Sequence, residues 1–151
     1  MNIFLDDNRL PLEISWVDFD YCAANWVIVR NYTDFVSEIE KGDFEIISFD
    51  HDLDRTSTFE CIRCNSSQEP FNYSKVSEKT GYHCALFLKE FCEKNNKTLP
   101  SYLIHSLNTK GRDNIINVLG TEKLLATHSL EIIFDKADEI LKRRKSWREK
   151  A

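Results

Sequence analysis

Four short apolar runs, each ending abruptly in polar or charged residues, constrain this chain more than any other feature of its sequence. Asn2 to Leu5, Trp26 to Val29, Ile46 to Phe49 and Tyr102 to Ile104 read as buried strands. Leu124 to Ala126 is a weaker fifth candidate. Segments with helical spacing lie between them: Phe35, Val36 and Ile39 behind a cap at Thr33, Ala85, Leu86, Leu88 and Phe91 behind Gly81, and Ile115, Ile116 and Leu119 closed by Gly120. From about Ser129 the spacing resumes with Ile132, Ile133, Ala137, Ile140 and Leu141. It then runs into Lys142, Arg143, Arg144 and Lys145, bases that suit a helix carboxyl end. Strands alternating with helices predict an α/β fold, a parallel sheet with helices on both faces.

One stretch breaks the pattern. Leu53 to Lys79 is polar and shows no sustained period, so it reads as an irregular, mobile insertion after the third strand that overhangs the site. With 151 residues the chain has the usual size of one domain, and we expect a single domain over residues 1–151. Residues 53–79 form its insertion, and residues 129–151 a final helix and basic tail.

Composition narrows the function classes. A formal net charge of -5 gives no field that draws duplex DNA or anionic lipid. No window is long and apolar enough for a membrane span, and Met1 to Asp7 lacks the basic and apolar regions of an export signal, which predicts a cytoplasmic protein. Five cysteines, an odd number, argue for reduced thiols over a disulfide framework.

In open parallel sheets ligands bind beyond the carboxyl ends of the strands. Asp6, Asp7, Asn8 and Arg9 follow the first run, Arg30 the second, Asp50, His51 and Asp52 the third, and His105, Ser106 and Asn108 the fourth. Asp6 or Asp7 alone reads as a turn or capping acid. Together with Asp50 and Asp52 they make a rim whose charges repel unless a shared proton or a hard cation such as Mg2+ or Mn2+ offsets them. His51 alone reads as a core or capping histidine. Flanked by aspartates, and with His105 at another strand end, it reads as one of two imidazoles dividing general acid and base work. Ser106, Asn108 and Gly111 form either a plain turn or a phosphate site at a helix start, to which Arg9 and Arg30 add bidentate donors. Cys61 and Cys64 invite a zinc reading, but no second pair follows at a typical spacing. His83 and Cys84 fall where a helix starts, and we read no zinc site.

The paired acids, the aspartate after the third strand and the hydroxyl after the fourth resemble the receiver domains of response regulators, with Asp6, Asp7, Asp50 and Ser106 in those places. Thr127 or His128 stands where phosphotransfer receivers carry a lysine. The closer resemblance is to a receiver-like family proposed to process cyclic phosphates. It rests on Leu5, Asp6, Asp7 and Arg9, on Ser48 through Leu53, on Thr80, Gly81 and Tyr82, and on His105, Ser106, Asn108 and Gly111.

The resemblance implies a flavodoxin-like sheet of order 2-1-3-4-5 and a phosphoesterase that opens a cyclic phosphate on a nucleotide-like small molecule or an RNA end. The catalytic residues expected are His51, His105 and Asp50. Arg9, Arg30, Ser106, Asn108 and Gly111 would bind substrate, and Asp6, Asp7, Asp50 and Asp52 would hold the metal. The alternative is a receiver-derived module that binds a nucleotide or a partner protein without turnover.

Overall fold

The computed structural model describes residues 1–14 and 25–125. Each apolar run forms a strand: β1 (Asn2–Leu5), β2 (Trp26–Val29), β3 (Ile46–Phe49) and β4 (Ser101–Ile104). They pair in parallel in the order β2-β1-β3-β4, the first four places of the expected sheet. Leu124 makes an isolated parallel bridge to Tyr102, with Leu125 N–H donating to the Tyr102 carbonyl at 2.9 Å. The fifth candidate thus begins beside β4, while its last residue, Ala126, lies outside the described residues, as do the final helix and basic tail.

The strand ends are level. Leu5 is opposite both Val29 and Phe49, and Phe49 is opposite Ile104. The ladder continues one residue further, with Asp6, Asp50 and His105 donating their backbone N–H groups to Val29, Leu5 and Phe49. Asp6, Arg30, Asp50 and His105 therefore form one row across the edge of the sheet.

Alternation along the strands sorts the side chains onto two faces. Ile3, Leu5, Ile47, Phe49, Tyr102 and Ile104 pack with α1 (Tyr32–Glu40), α3 (Gly81–Lys94) and α4 (Thr109–Leu119) in the larger core cluster. Phe4 and Leu103 face the other way with Ile14. The cap of α1 is Asn31, two residues before the expected Thr33, and its side chain accepts from Asp34 N–H at 2.8 Å. Thr80 caps α3, and His83 Nδ1 completes a capping box by accepting the Thr80 N–H at 2.9 Å.

The insertion is not irregular throughout. Arg55–Ser67 forms a helix, α2, capped by Asp54 and closed by Gln68 at φ 53°. Its period escapes a search for apolar residues because the buried positions are Ser57, Glu60 and Cys64. Glu60 is held by the Arg63 guanidinium and by Asn72 N–H. Lys110 of α4 donates to the carbonyls of Cys64 and Glu69 at the far end. Polar tethers replace the apolar stripe that normally fixes a helix.

The helix start at Gly81 presses on the end of β3. Gly81 N–H donates to the His51 carbonyl at 2.8 Å, and a Cβ there would fall 2.0 Å from the Asp50 carbonyl oxygen. Asp50 cannot retreat because its own N–H is bonded to β1. Gly81→Ala is expected to destabilise the protein by about 1–3 kcal/mol or more, as overpacked sites do, read from chemical denaturation.

Candidate active site

The row of strand ends builds the site from two sides, because consecutive residues point to opposite faces. Asp6 continues the Phe4 side, as His105 continues that of Leu103. His105 stacks on Phe4 with centroids 4.5 Å apart and shares a 2.7 Å hydrogen bond between Nδ1 and Ser48 Oγ. His51 continues the opposite parity of Ile47 and Phe49. It meets α4, where a Cβ on Gly111 would lie 2.3 Å from the His51 ring.

Asp6 is the most heavily bonded group in the site. Its Oδ1 accepts from Asn8 N–H at 3.1 Å and Arg9 N–H at 2.8 Å, while Oδ2 accepts from Arg9 Nε at 2.9 Å and His105 Nε2 at 3.0 Å. Those contacts fill the roughly four acceptor positions of a carboxylate. Burial raises the Asp6 carboxyl, but the hydrogen bonds from His105, Arg9 and Asn8 outweigh it and hold the group well below the usual carboxylate range. Burial pushes His105 down to about 4 against the pull of Asp6, so the ring is neutral near pH 7. Its Nε2–H donates to Asp6, and Nδ1 accepts the Ser48 hydroxyl.

His51 is also used at both nitrogens. Nδ1 lies 2.7 Å from Asp52 Oδ1 and Nε2 lies 2.8 Å from the Tyr73 hydroxyl. Asn114 Nδ2 donates to the same hydroxyl at 2.9 Å, and Asn108 Nδ2 lies 3.2 Å from His51 Nδ1. Burial raises the Asp52 carboxyl, but the bonds from His51, Ser57 and Asn108 bring it below its ordinary value.

The cleft itself, about 350 Å³, is lined by Asp7, Asn8, Arg9, Asp50, Asp52 and Ser106, with Thr58 and Cys61 of α2 across from them. Asp50 Oδ1 accepts from His51 N–H at 2.8 Å, and Oδ2 lies 3.5 Å from Arg9 Nη2. Burial and the Asp6 charge, against the Arg9 guanidinium, push Asp50 up to about 8, with Asp52 and Asp7 adding to the rise. Burial and Asp6 also raise Asp7.

The sequence-derived set therefore divides. Asp7, Arg9, Asp50, Asp52, Ser106 and Asn108 meet in the cleft. The two imidazoles do not: they are buried on opposite faces of the sheet, and neither lines the cleft, so they cannot face one substrate as an acid and base pair. Burial outweighs the adjacent Asp6 carboxylate at His105, which is neutral near pH 7. Arg30 is turned inward, its Nη1 donating to the carbonyls of Asp6 at 3.1 Å and Arg9 at 2.7 Å, where it braces the loop. Gly111 gives room to His51, and its N–H is taken by Asn108 Oδ1 at 2.9 Å. Cys61 Sγ takes a contact from Asn65 Nδ2 at 3.6 Å, and Cys64 Sγ donates to the Cys61 carbonyl at 3.4 Å. His83 and Cys84 are occupied by the cap and the core of α3. Ser48, Ser57, Tyr73, Thr58 and Cys61 belong to the site without having been singled out for a role in it. For Ser48 the signal was present, a hydroxyl inside an apolar strand that must find a partner.

Two measurements check this electrostatic account. The Asp50 carboxyl is raised above its unfolded value, so the native state binds more protons, and stability falls as pH climbs from about 4 to 8. In metal-free buffer the stability advantage of Asp50→Asn over the parent should grow across that window and level off above it, read from denaturation midpoints. His105 should remain neutral down to about pH 5 in an NMR titration of its ring protons.

Among the described residues no helix is long and apolar enough to cross a membrane. No curated protein and no solved structure matches the chain. The sequence signature of the cyclic-phosphate processing receiver domain matches residues 1–121, from β1 through α4 and including every residue of the cleft. The chain belongs to the family of cyclic-phosphate processing receiver domains.

Proposed function

We propose that the chain is a phosphoesterase that opens a cyclic phosphate of a nucleotide or an RNA-derived product. The observation that carries this reading is one cleft lined by Asp7, Asp50 and Asp52 together with Arg9 and Ser106, the donors for a cation and for a phosphoryl group side by side. A volume near 350 Å³ suits a small ligand.

Two sets of side chains offer themselves to a cation. The buried set of Asp6, Asp50 and His105 has donor atoms within 4.8 Å of one another. It is poorly suited, because the acceptor positions of Asp6 are filled and both nitrogens of His105 are engaged. The open acids Asp50 and Asp52 are oxygen donors on the cleft, the chemistry that Mg2+ or Mn2+ takes with water in the remaining positions; their oxygens are not drawn together as those of the buried set are, and Asp50 is a carboxyl held near 8 by burial and neighbouring charges that a cation would offset. A bound cation would supply positive charge to the phosphoryl oxygens.

The chain's own residues do the rest. The outer nitrogens of Arg9 and the Ser106 hydroxyl donate to phosphoryl oxygens. Asp7, at the exposed mouth, accepts the proton of the attacking water. One P–O bond forms to water and one breaks to the ribose oxygen, which leaves as a hydroxyl with a proton returned through solvent. His105 and His51 act as positioning residues that hold Asp6 and Asp52 in place.

The test is incubation of the pure chain with 2′,3′-cyclic and 3′,5′-cyclic nucleotides and a cyclic-phosphate-ended oligoribonucleotide, with and without Mg2+ or Mn2+. Ring-opened product is expected, reduced about 100-fold or more by Asp7→Asn, the usual scale for a lost general base. Binding without product across the whole panel would overturn the hydrolase and favour the non-catalytic module.

A further inference from the structure

Arg9 grips its two carboxylates unequally. Nε donates to Asp6 Oδ2 at 2.9 Å, and the backbone is fixed on either side of the side chain, N–H to Asp6 Oδ1 at 2.8 Å and carbonyl to Arg30 Nη1 at 2.7 Å. Nη2 only approaches Asp50 Oδ2, at 3.5 Å, an ion pair longer than a normal hydrogen bond. A guanidinium carries five N–H donors in one plane, of which the Nε group uses one. The outer end, at the cleft wall on a side chain 31% exposed, keeps the remainder.

Asp50 shows the complementary asymmetry. Oδ1 is tied to His51 N–H, which leaves Oδ2 as the oxygen that a cation in the cleft would meet, the same oxygen that Arg9 approaches. Asp6, with its acceptor positions filled, anchors the inner end of Arg9 whatever happens to the outer end.

We propose that Arg9 is a clamp with two positions: its Nη end rests beside Asp50 Oδ2, and a divalent cation arriving on Asp50 and Asp52 releases that end to a phosphoryl oxygen. This rests on the reading of the cleft as a cation and phosphate site. It implies that Arg9 opposes the cation when the cation comes alone, and couples cation to phosphate when both are present.

Calorimetry on the full chain with Mn2+ alone, and with inorganic phosphate in the presence and absence of Mn2+, tests both halves. Arg9→Gln should bind Mn2+ about tenfold more tightly than the parent, a size ordinary for coupling between sites. In the parent, Mn2+ should raise phosphate affinity about tenfold, and in Arg9→Gln by less than about threefold. Equal Mn2+ affinities, equal coupling, or no Mn2+ binding by either protein would each overturn the clamp. Should Arg9→Gln fail to fold, the side-chain 15N signals of the parent decide: Mg2+ should shift the Arg9 Nη signals and leave Nε in place, and unmoved Nη signals would overturn the proposal. Turnover of cyclic phosphates without the Arg9 effect removes the clamp and keeps the hydrolase. The Arg9 effect without turnover on any substrate removes the hydrolase and keeps the clamp.

Discussion

The bonding of Asp6 is the constraint on which the rest of the site depends. A carboxylate with no exposed surface at the end of a central strand is costly unless all of its acceptor positions are met. Meeting them forces the turn after β1 through Asn8 and Arg9, sets the direction of the Arg9 guanidinium, and draws in the Nε2–H of His105 from a strand two places away. Arg30 then closes the arrangement from β2 by holding the carbonyls of the same turn. What looks like a pair of equivalent acids in the sequence is a buried anchor, Asp6, followed by an exposed acid on the cleft, Asp7.

His51 and Asp52 make a second anchored pair on the opposite face. A chain of hydrogen bonds runs from Asn114 through Tyr73 and His51 to Asp52. In both pairs the imidazole orients a carboxylate. The difference in hydrogen bonding explains the opposite electrostatic outcomes: Asp6 and Asp52 are bonded enough to remain ionised, whereas Asp50 has burial and like charges against it.

Much of this was legible in the residues. The strands sit where the apolar runs are, their order follows from the receiver resemblance, and the acids meet because parallel strands end on one side. The separation of His51 and His105 was also within reach, since His51 shares the parity of Ile47 and Phe49 while His105 alternates against Tyr102 and Ile104. Reading strand ends as points on a rim, without their side-chain direction, hid it. The helix Arg55–Ser67 was not legible for a different reason: hydrophobic periodicity cannot reveal a helix that buries a serine, a glutamate and a cysteine. Nor could sequence show that Arg30 and Gly111 serve the scaffold, because a brace and a ligand contact use the same donors.

That helix stands apart from the packing that holds the sheet. None of its residues belongs to either hydrophobic cluster of the described chain, yet Thr58 and Cys61 form one wall of the cleft. The acids are fixed by backbone register, while the opposing wall hangs on polar tethers at Asp54, Glu60 and Lys110. Lengthening or shortening this one segment would redraw the outline of the cleft without touching the register that aligns the carboxylates, so the shape of the opening and the placing of its acids are set by separate parts of the fold.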